Sequence, residues 1–359
     1  MSNQKEKPDL LSMFPDEMRA FFKENGQPAY RADQAAAHLV RGQGIEEMHT
    51  LPRTLRTFLA ENALCRLPRI AEKQVSAKDG TVKYLMRLSD GECVESVLMR
   101  YKYGNSLCIS SQAGCRMGCR FCASTLAGRV RNLYASEMLG QVIMAGADTG
   151  ERVSHIVMMG IGVPLDNYEE TVRFLRLASH PALLNIGLRH ISLSTCGLVP
   201  AIRRLSTEGL PITLSISLHA SDNEARSRIM PINNTYPIEE LLSACADWYR
   251  TTGRRISFEY TLLAGENDSE AHAAALAALL HRHLDAVKAP LHVNLIRVNQ
   301  VEETSFREGT RESAAHFAEA LGRRGVNATV RRRLGRDVDA ACGQLRRRRQ
   351  KEAEGQIER

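Results

Sequence analysis

The stretch SQAGCRMGCRFC, residues 111–122, contains three cysteines in a C-x3-C-x2-C spacing. Three thiolates can ligate three irons of a [4Fe-4S] cluster, which leaves the fourth iron open to a small molecule. A structural zinc site needs four ligands, usually in two C-x2-C pairs, and the stretch contains no second pair. The spacing therefore favours an open iron-sulfur cluster on Cys115, Cys119 and Cys122 over a zinc site or unreactive thiols.

Apolar, β-prone runs follow this stretch and alternate with helix-like segments. The runs are SHIVMMG (154–160), LRHISLST (188–195), PITLSISL (211–218), RISFEYTLL (255–263), LHVNLIRVN (291–299) and NATVRRRL (327–334). This alternation predicts five or six β/α units with parallel strands, and so an α/β fold built as an open or closed barrel. Active sites of such folds lie at the C-terminal ends of the strands, so residues that end each run are candidate site residues.

Two shorter regions precede the barrel. Residues 1–65 have a helix-like spacing of apolar residues, as in Met18, Phe21 and Phe22. Residues 66–104 contain the alternating runs VKYLMRLS and CVESVLMR, joined by Asp90-Gly91, which is the turn chemistry of a β-hairpin. We therefore predict a small helical domain over 1–65, a β-hairpin extension over 66–104, the barrel over 105–340 and a C-terminal segment over 341–359.

The composition is that of an ordinary globular protein, with 43% apolar and 25% charged residues in a chain of 359. No apolar run reaches the roughly 18 to 20 residues that cross a membrane, and no apolar segment follows a basic start as in a secretory signal. The nine cysteines are scattered, unlike the disulfide framework of a small secreted domain. These features predict a cytoplasmic protein with reduced thiols and no membrane contact.

Positive charge is concentrated near the C-terminus. The net charge is +7, and residues 331–359 contain ten Lys or Arg against five Asp or Glu. The run Arg346 to Arg349 would attract a polyanion, since Lys and Arg contacts to phosphate supply much of the affinity for nucleic acids. The alternative is a solvated, disordered tail without a partner.

The cysteine stretch, with Phe121 just before its third cysteine, resembles the radical S-adenosylmethionine (SAM) superfamily. In that superfamily the open iron binds the methionyl end of SAM, and reductive cleavage yields a 5'-deoxyadenosyl radical. The flanking segments SLCISSQ (106–112) and DVDAACGQL (337–345) resemble the RlmN/Cfr family of RNA adenine methyltransferases. The resemblance extends from FFKENGQPAYRADQ (21–34) to Leu345. It implies a partial (β/α)6 radical SAM barrel.

The resemblance also implies a mechanism with two further cysteines. One SAM methylates Cys342, a second supplies the radical that takes hydrogen from the S-methyl group, and the carbon radical adds to adenine. Radical addition suits an aromatic amidine carbon, which is electrophilic and resists ordinary attack on SAM. Cys108 is then the thiol that resolves the adduct through a transient disulfide with Cys342. Glu95, in the motif Val94-Glu95-Ser96-Val97, is the implied proton acceptor.

SAM contacts carry over to residues at strand ends. They are Gly162, Ser194, Ser217, Leu218, His219 and Asn299. One position departs from the family, which has Gly-Glu-Pro where this chain has Gly162-Val163-Pro164. The loss of a hydrogen bond to a charged group costs about 1.5 to 3 kcal/mol, or roughly tenfold to more than a hundredfold in affinity. Because Val163 cannot accept this hydrogen bond, we expect this chain to bind SAM more weakly than other members of the family, unless other groups compensate.

The implied function is methylation of C2 of the peptidyl-transferase-centre adenine in 23S rRNA, with the adenine 3' of the tRNA anticodon as a second candidate. The form Asp337-Val338-Asp339 favours this C2 branch over Cfr-like methylation of C8. Two alternatives stay open: an impaired RNA-binding homologue, because of Val163, and an iron-sulfur enzyme with another substrate. The implied partners are the RNA, contacted by the basic tail and the helical domain, and an electron donor such as flavodoxin or ferredoxin. The enzyme is expected to act as a monomer.

Overall fold

The computed structural model describes residues 7–298, 306–335, 337–338, 343 and 345–349. Its first elements are three helices, α1 (Pro15–Glu24), α2 (Tyr30–Val40) and α3 (Arg53–Asn62). Pro15 stands in the first turn of α1, where its missing N–H costs no hydrogen bond, and Glu17 accepts from the Phe14 N–H at 2.8 Å. The buried faces of these helices share one hydrophobic core with the later elements, so the helical region packs directly on the barrel.

Three antiparallel strands follow, β1 (Arg69–Val75), β2 (Val82–Arg87) and β3 (Cys93–Tyr101). β2 and β3 form the hairpin that the sequence predicts, and Gly91 in its turn has a φ of 93°, which favours glycine. β1 adds a third strand beside the hairpin. Because β3 also pairs with β4 (Gly104–Cys108), the extension is continuous with the barrel sheet.

Between β4 and the next parallel strand, two short antiparallel strands bracket the three cysteines. They are β5 (Gln112–Gly114) and β6 (Arg129–Asn132). The rest of the main sheet is parallel and consists of β7 (Val153–Met158), β8 (Ile191–Thr195), β9 (Thr213–Ser217), β10 (Ile256–Leu262), β11 (His292–Arg297) and β12 (Asn327–Val330). All six β-prone runs of the sequence are therefore strands.

The main sheet has ten strands in the order β1-β2-β3-β4-β7-β8-β9-β10-β11-β12, with β1 and β12 at its edges. The helices that alternate with the parallel strands are α4 (Ala135–Thr149), α5 (Tyr168–Ser179), α6 (Val199–Ser206), α7 (Asn223–Ile229), α8 (Ile238–Thr252), α9 (Glu270–Leu284) and α10 (Arg311–Gly322). This confirms the predicted α/β fold with a partial barrel. None of the described helices is long and apolar enough to span a bilayer.

The strands have two chemically different faces, since successive side chains point to opposite sides. In β10, Phe258 and Tyr260 belong to the main core, whereas Glu259 and Thr261 line an interior cavity. β9 alternates in the same way, with Ile216 in the core and Ser217 on the cavity. The sequence patterns FEYT and SIS thus place polar groups inside the barrel, near the C-terminal ends of the strands.

Candidate active site

A cavity of about 250 Å³ lies at the C-terminal ends of the parallel strands. Cys115, Cys119 and Cys122 line it. So do five predicted cofactor residues, Gly162, Val163, Ser194, Ser217 and His219. The structure therefore brings the three cysteines and most of the predicted SAM residues to one place, as the strand-end rule requires.

The cysteine loop is fixed by the strand pair β5–β6. The Cys115 N–H donates to the Gly128 carbonyl at 3.0 Å, and the Cys122 N–H donates to the Cys119 carbonyl at 3.1 Å. Gly114 has a φ of 82°, and a Cβ there would run into the Gly128 carbonyl. Only glycine fits at that position, which explains the Gly directly before the first cysteine.

The three thiols suit a multinuclear cluster. Burial raises the pKa of Cys115 and of Cys119, and the nearby Cys122 raises the pKa of Cys119 further, so their thiolates need a cationic partner such as iron. All three thiols line one cavity, and three thiolates can ligate three irons of a [4Fe-4S] cluster.

His219 is held in one orientation at the end of β9. Its Nδ1 accepts from the Thr261 N–H at 2.9 Å, and its ring meets Phe121 edge-on with centroids 4.9 Å apart. Burial lowers the pKa of His219 to about 3, so the imidazole is neutral at physiological pH. The contact joins the cysteine motif to a strand end that the sequence predicts for SAM.

One predicted SAM residue, Leu218, does not line the cavity, and another is not described by the structure. The Leu218 side chain is fully buried in the main core, its N–H donates to the Glu259 carbonyl at 3.1 Å, and its carbonyl accepts from Arg226 Nε at 3.1 Å. Leu218 is therefore already satisfied within the protein, and it does not line the cavity. Asn299 lies outside the described residues.

Val163 gives the cavity an apolar wall. Its side chain packs in a cluster with Cys115, Met117 and Cys196, while its N–H donates to Gln112 Oε1 at 2.9 Å. The nearby Asp166 does not replace the missing carboxylate on the cavity. It accepts from Arg116 at 2.5 Å and Arg129 at 3.0 Å, and it thereby anchors the cysteine loop.

Glu95 and Cys108 lie beside the cavity, on the antiparallel side of the sheet. Cys108 pairs with Val97 across β3 and β4 and packs in a small cluster with Val97 and Met99. Met159 packs against this cluster and also lines the cavity, so its side chain lies between the cluster and the cavity. Leu334 packs against the same cluster, which brings the chain that precedes Cys342 next to Cys108.

The Glu95 carboxylate binds the other flank of Cys342. It accepts from the Gly343 N–H at 2.6 Å and from the Arg346 N–H at 2.7 Å. Gly343 has a φ of 80°, and a Cβ there would lie 3.0 Å from the Ser124 nitrogen, in the turn directly after the third cysteine. Gly343 thus sits between Glu95 and the cysteine loop. Cys342 itself lies outside the described residues.

Comparison with known proteins agrees with this geometry. The family model of the radical SAM superfamily matches residues 109–277. A "Probable dual-specificity RNA methyltransferase RlmN" of Desulforamulus reducens is 49% identical over 349 residues, which cover 96% of this chain and 98% of the relative. The relative of the same name in Clostridium botulinum is 47% identical over 340 residues, covering 94% and 96%. The chain belongs to the RlmN family of radical SAM RNA methyltransferases.

A solved structure supports the RlmN-family assignment at the level of the fold. It is the crystal structure of a radical SAM methyltransferase from Sphaerobacter thermophilus, with a TM-score of 0.87 and 40% identity over 94% of this chain and 98% of that one. Membership in the RlmN family implies a [4Fe-4S] cluster, SAM and an RNA substrate. The three cysteines on one cavity, with polar strand ends opposite them, fit the first two.

Sequence reasoning missed a buried ion pair in this RlmN-family chain. Lys83 on β2 is fully buried and lies 2.5 Å from Glu95, which is 2% exposed. The alternation of apolar and polar residues along β2 gave no sign of this ion pair, because a lysine in a strand is usually exposed. Pairing with β3 places Lys83 opposite Val97, on the face of the sheet that carries Glu95. The lysine thereby offsets the charge of the carboxylate that binds the chain after Cys342.

Two more polar residues of the site were missed. Glu259 is the one carboxylate among the described residues that line the cavity; burial raises its pKa, and Asn294 donates to it at 2.6 Å. Arg226, fully buried below the strand ends, donates to the carbonyls of Cys196 at 2.7 Å and Ser217 at 3.1 Å. Neither stands in a local motif, so only the folded arrangement reveals them.

Proposed function

We propose that the chain methylates C2 of an adenine in RNA and that Cys342 carries the methyl group. The proposed substrate is the peptidyl-transferase-centre adenine of 23S rRNA, with the adenine 3' of the tRNA anticodon as a second substrate. The name of the curated relatives, dual-specificity RNA methyltransferase, supports a second RNA. An enzyme that acts on these RNAs works in the cytoplasm.

The observation that carries the proposal is the contact of Glu95 with Gly343. This contact ties the residue after Cys342 to the proposed base, and the packing of Gly343 on Ser124 ties it to the turn that follows Cys122. A methyl group on a thiol at position 342 would thus be held between the cysteine loop and Glu95. Both contacts support a role for the residue before Gly343 in the chemistry of this site.

The cysteine loop and the strand ends have separate proposed tasks. Cys115, Cys119 and Cys122 would hold the [4Fe-4S] cluster, which with SAM supplies a 5'-deoxyadenosyl radical. Gly162, Ser194, Ser217 and neutral His219 would position SAM along the other wall of the cavity, with Leu218 and Asn299 expected from family resemblance. Met117, Met158 and Val163 also line the cavity and make part of its wall apolar.

Resolution of the adduct is assigned to Cys108 and Glu95. The adduct radical would first lose one electron, which the cluster would accept, and Glu95 would take the proton from the ring carbon, so that the ring becomes aromatic again. The Cys108 thiolate would then attack the Cys342 sulfur, so that an S–S bond forms and the C–S bond to the adenine methylene breaks; its electron pair stays on the methylene carbon, which takes a proton from solvent and becomes the methyl group. The Glu95 oxygens already accept from Lys83, Gly343 and Arg346, so Glu95 has a positioning task for the Cys342 segment besides its proposed role as a base.

The methylated nucleoside that forms distinguishes the proposed function from two other interpretations. The same residues could serve attack on C8, as in Cfr-like enzymes. Val163 favours a second candidate, an RNA-binding homologue with impaired turnover, because the cavity lacks a carboxylate at that position. We also propose that the enzyme is a monomer and takes electrons from a flavodoxin or ferredoxin.

The test is product mapping with purified protein. We expect anaerobically reconstituted enzyme, given SAM, a reductant and an RNA hairpin with the target adenine, to form 2-methyladenosine, identified by mass spectrometry against standards. The Cys342→Ala variant, with its cluster absorbance intact, should form none. Formation of 8-methyladenosine would establish the C8 interpretation, absence of product with cluster and SAM bound would establish the impaired homologue, and an active Cys342→Ala would refute the methyl-carrier role.

A further inference from the structure

A second pocket, of about 400 Å³, lies beside the cofactor cavity at the C-terminal ends of β11 and β12. Its wall holds six cationic side chains, which are Lys78, Arg297, Arg311, Arg331, Arg332 and Arg333. One carboxylate, Asp79, lines it as well. The pocket is therefore strongly basic.

Part of this charge is neutralised within the protein. Glu308 lies 3.3 Å from Arg297 and 2.6 Å from Arg333. Burial alone would raise the pKa of Asp79. Hydrogen bonds from Thr81 and Gly335 outweigh this effect and lower the pKa to about 2, so the carboxylate is ionised. Four cations remain for which the described residues offer no carboxylate within 4 Å: Lys78, Arg311, Arg331 and Arg332. Such an excess is suited to an anion from outside.

The position of the pocket indicates which anion it binds. Arg331 lines both this pocket and the cofactor cavity, so the two spaces adjoin. Leu334, at the other side of the pocket, packs against the cluster that contains Cys108. An enzyme that modifies a base must take it out of the stack, while the phosphates of that nucleotide and its neighbours stay outside the catalytic cavity.

We propose that this basic pocket binds a phosphodiester of the RNA strand next to the target adenine. The inference rests on the proposed function, since it takes the cavity as the place where adenine reacts. Arg311, Arg332 and Lys78 are exposed and supply the charge for the phosphate, while half-buried Arg331 stands at the boundary with the cavity. Phosphate contacts of this kind fix the register of the RNA and are independent of its sequence.

The C-terminal arginine run, in contrast, is largely occupied. Arg346 lies 2.9 Å from Glu92, and Arg348 and Arg349 lie 2.9 Å and 2.6 Å from Glu72. These ion pairs attach the last described residues to the antiparallel strands. The charge that the sequence places in a polyanion-binding tail is therefore used within the protein, and the basic pocket is the better site for RNA.

The test compares RNA binding of two charge-matched double variants. We expect Arg311→Gln/Arg332→Gln to weaken binding of the reconstituted holoenzyme to the target hairpin and to lower the slope of log Kd against log salt by about 0.7, the contribution of the one single-stranded phosphate that the pocket would bind. With a hairpin that lacks the target adenine, the double variant should show the same decrease in this slope. The control, Arg250→Gln/Arg282→Gln, removes two exposed cations from the last turns of α8 and α9 and should leave the slope unchanged.

A second readout separates this proposal from the proposed function. In the proposed function SAM methylates Cys342 before the RNA reacts, so Arg311→Gln/Arg332→Gln should carry as much S-methylcysteine as the wild type. An unchanged slope in a variant whose Cys342 is methylated would overturn the pocket alone. Equal losses of slope in both double variants would also overturn it, because general charge would then explain the binding. A wild type without methylated Cys342 would instead refute the proposed function.

Discussion

Val163 stands where the resemblance to the family predicts a glutamate. Its side chain packs in a cluster with Cys115 and Met117 and lines the cavity. Glu259 on β10 is the carboxylate that lines the described wall of the cavity, and burial raises its pKa. The sequence motif gave no signal for this residue.

We expect Val163→Glu to bind SAM roughly tenfold to a hundredfold more tightly, because a carboxylate regains a hydrogen bond to a charged group. Without ligand the variant should be less stable than the wild type, since the new charge is buried in an apolar cluster. Calorimetric titration of the reconstituted proteins measures the affinity, with Val163→Gln as the uncharged control of similar size. Equal affinities for Val163→Glu and Val163→Gln would show that no cofactor charge faces this position.

Residues in short motifs could be predicted from the sequence, and residues that act through strand pairing could not. Cys115, Cys119 and Cys122 lie within eight positions of one another, so their spacing alone indicated a cluster. Lys83 and Glu95 are twelve positions apart, on different strands, and only the register of β2 on β3 brings them together. A charged residue in an alternating run carries no local sign that its partner lies across the sheet.

At the scale of the elements, the parallel strands were predicted well because each is a short apolar run between helical segments. The hairpin was predicted because Asp90-Gly91 has the conformation that its turn requires. The strand β1 was not predicted, since RIAEKQV mixes charged, polar and apolar residues without a regular alternation and is exposed or half-buried along its length. The attachment of the residues after β12 to the hairpin extension was also missed, because Asp337 accepts from Ser76 at 2.6 Å across 261 positions.

The barrel strands β10, β11 and β12 are linked by a buried histidine. His292 Nδ1 lies 3.1 Å from the Ser257 hydroxyl, and its Nε2 lies 3.2 Å from the Thr329 hydroxyl. Burial, with a smaller effect of Arg255, lowers the pKa of His292 from 6.5 to about 4. Between these two values the unfolded chain binds a proton that the folded chain does not, so stability falls as the pH falls through this window.

We expect His292→Asn to weaken this dependence by up to about 1.4 kcal/mol per pH unit between pH 6.5 and 4, because the variant has no imidazole to protonate on unfolding. Urea unfolding at roughly pH 7, 6 and 5 measures the effect. The exposed His316→Asn serves as the control. A wild type and a His292→Asn variant with parallel pH profiles would show that His292 is charged in the folded protein.

At the scale of the whole molecule, the arginines near the C-terminal end of the chain lie in two separate regions. The sequence locates +5 of the net +7 in residues 331–359, and it gives no means to tell paired arginines from unpaired ones. In the fold, Arg348 and Arg349 meet Glu72 on β1, while Arg331 and Arg332 follow β12 beside the cofactor cavity. RNA is thus expected to approach the open, C-terminal end of the barrel, where the cysteine loop and the basic pocket adjoin.

The most direct test of a methyl-carrying Cys342 follows the hydrogens of the transferred methyl group. The enzyme is loaded with SAM whose methyl group is fully deuterated, mixed with the RNA hairpin, and the product nucleoside is analysed by mass spectrometry. We expect 2-methyladenosine with two deuteriums, because one deuterium is removed from S-methyl-Cys342 before transfer and is replaced by hydrogen. A methyl group that retains all three deuteriums would mean direct transfer from SAM and would contradict the role of Cys342.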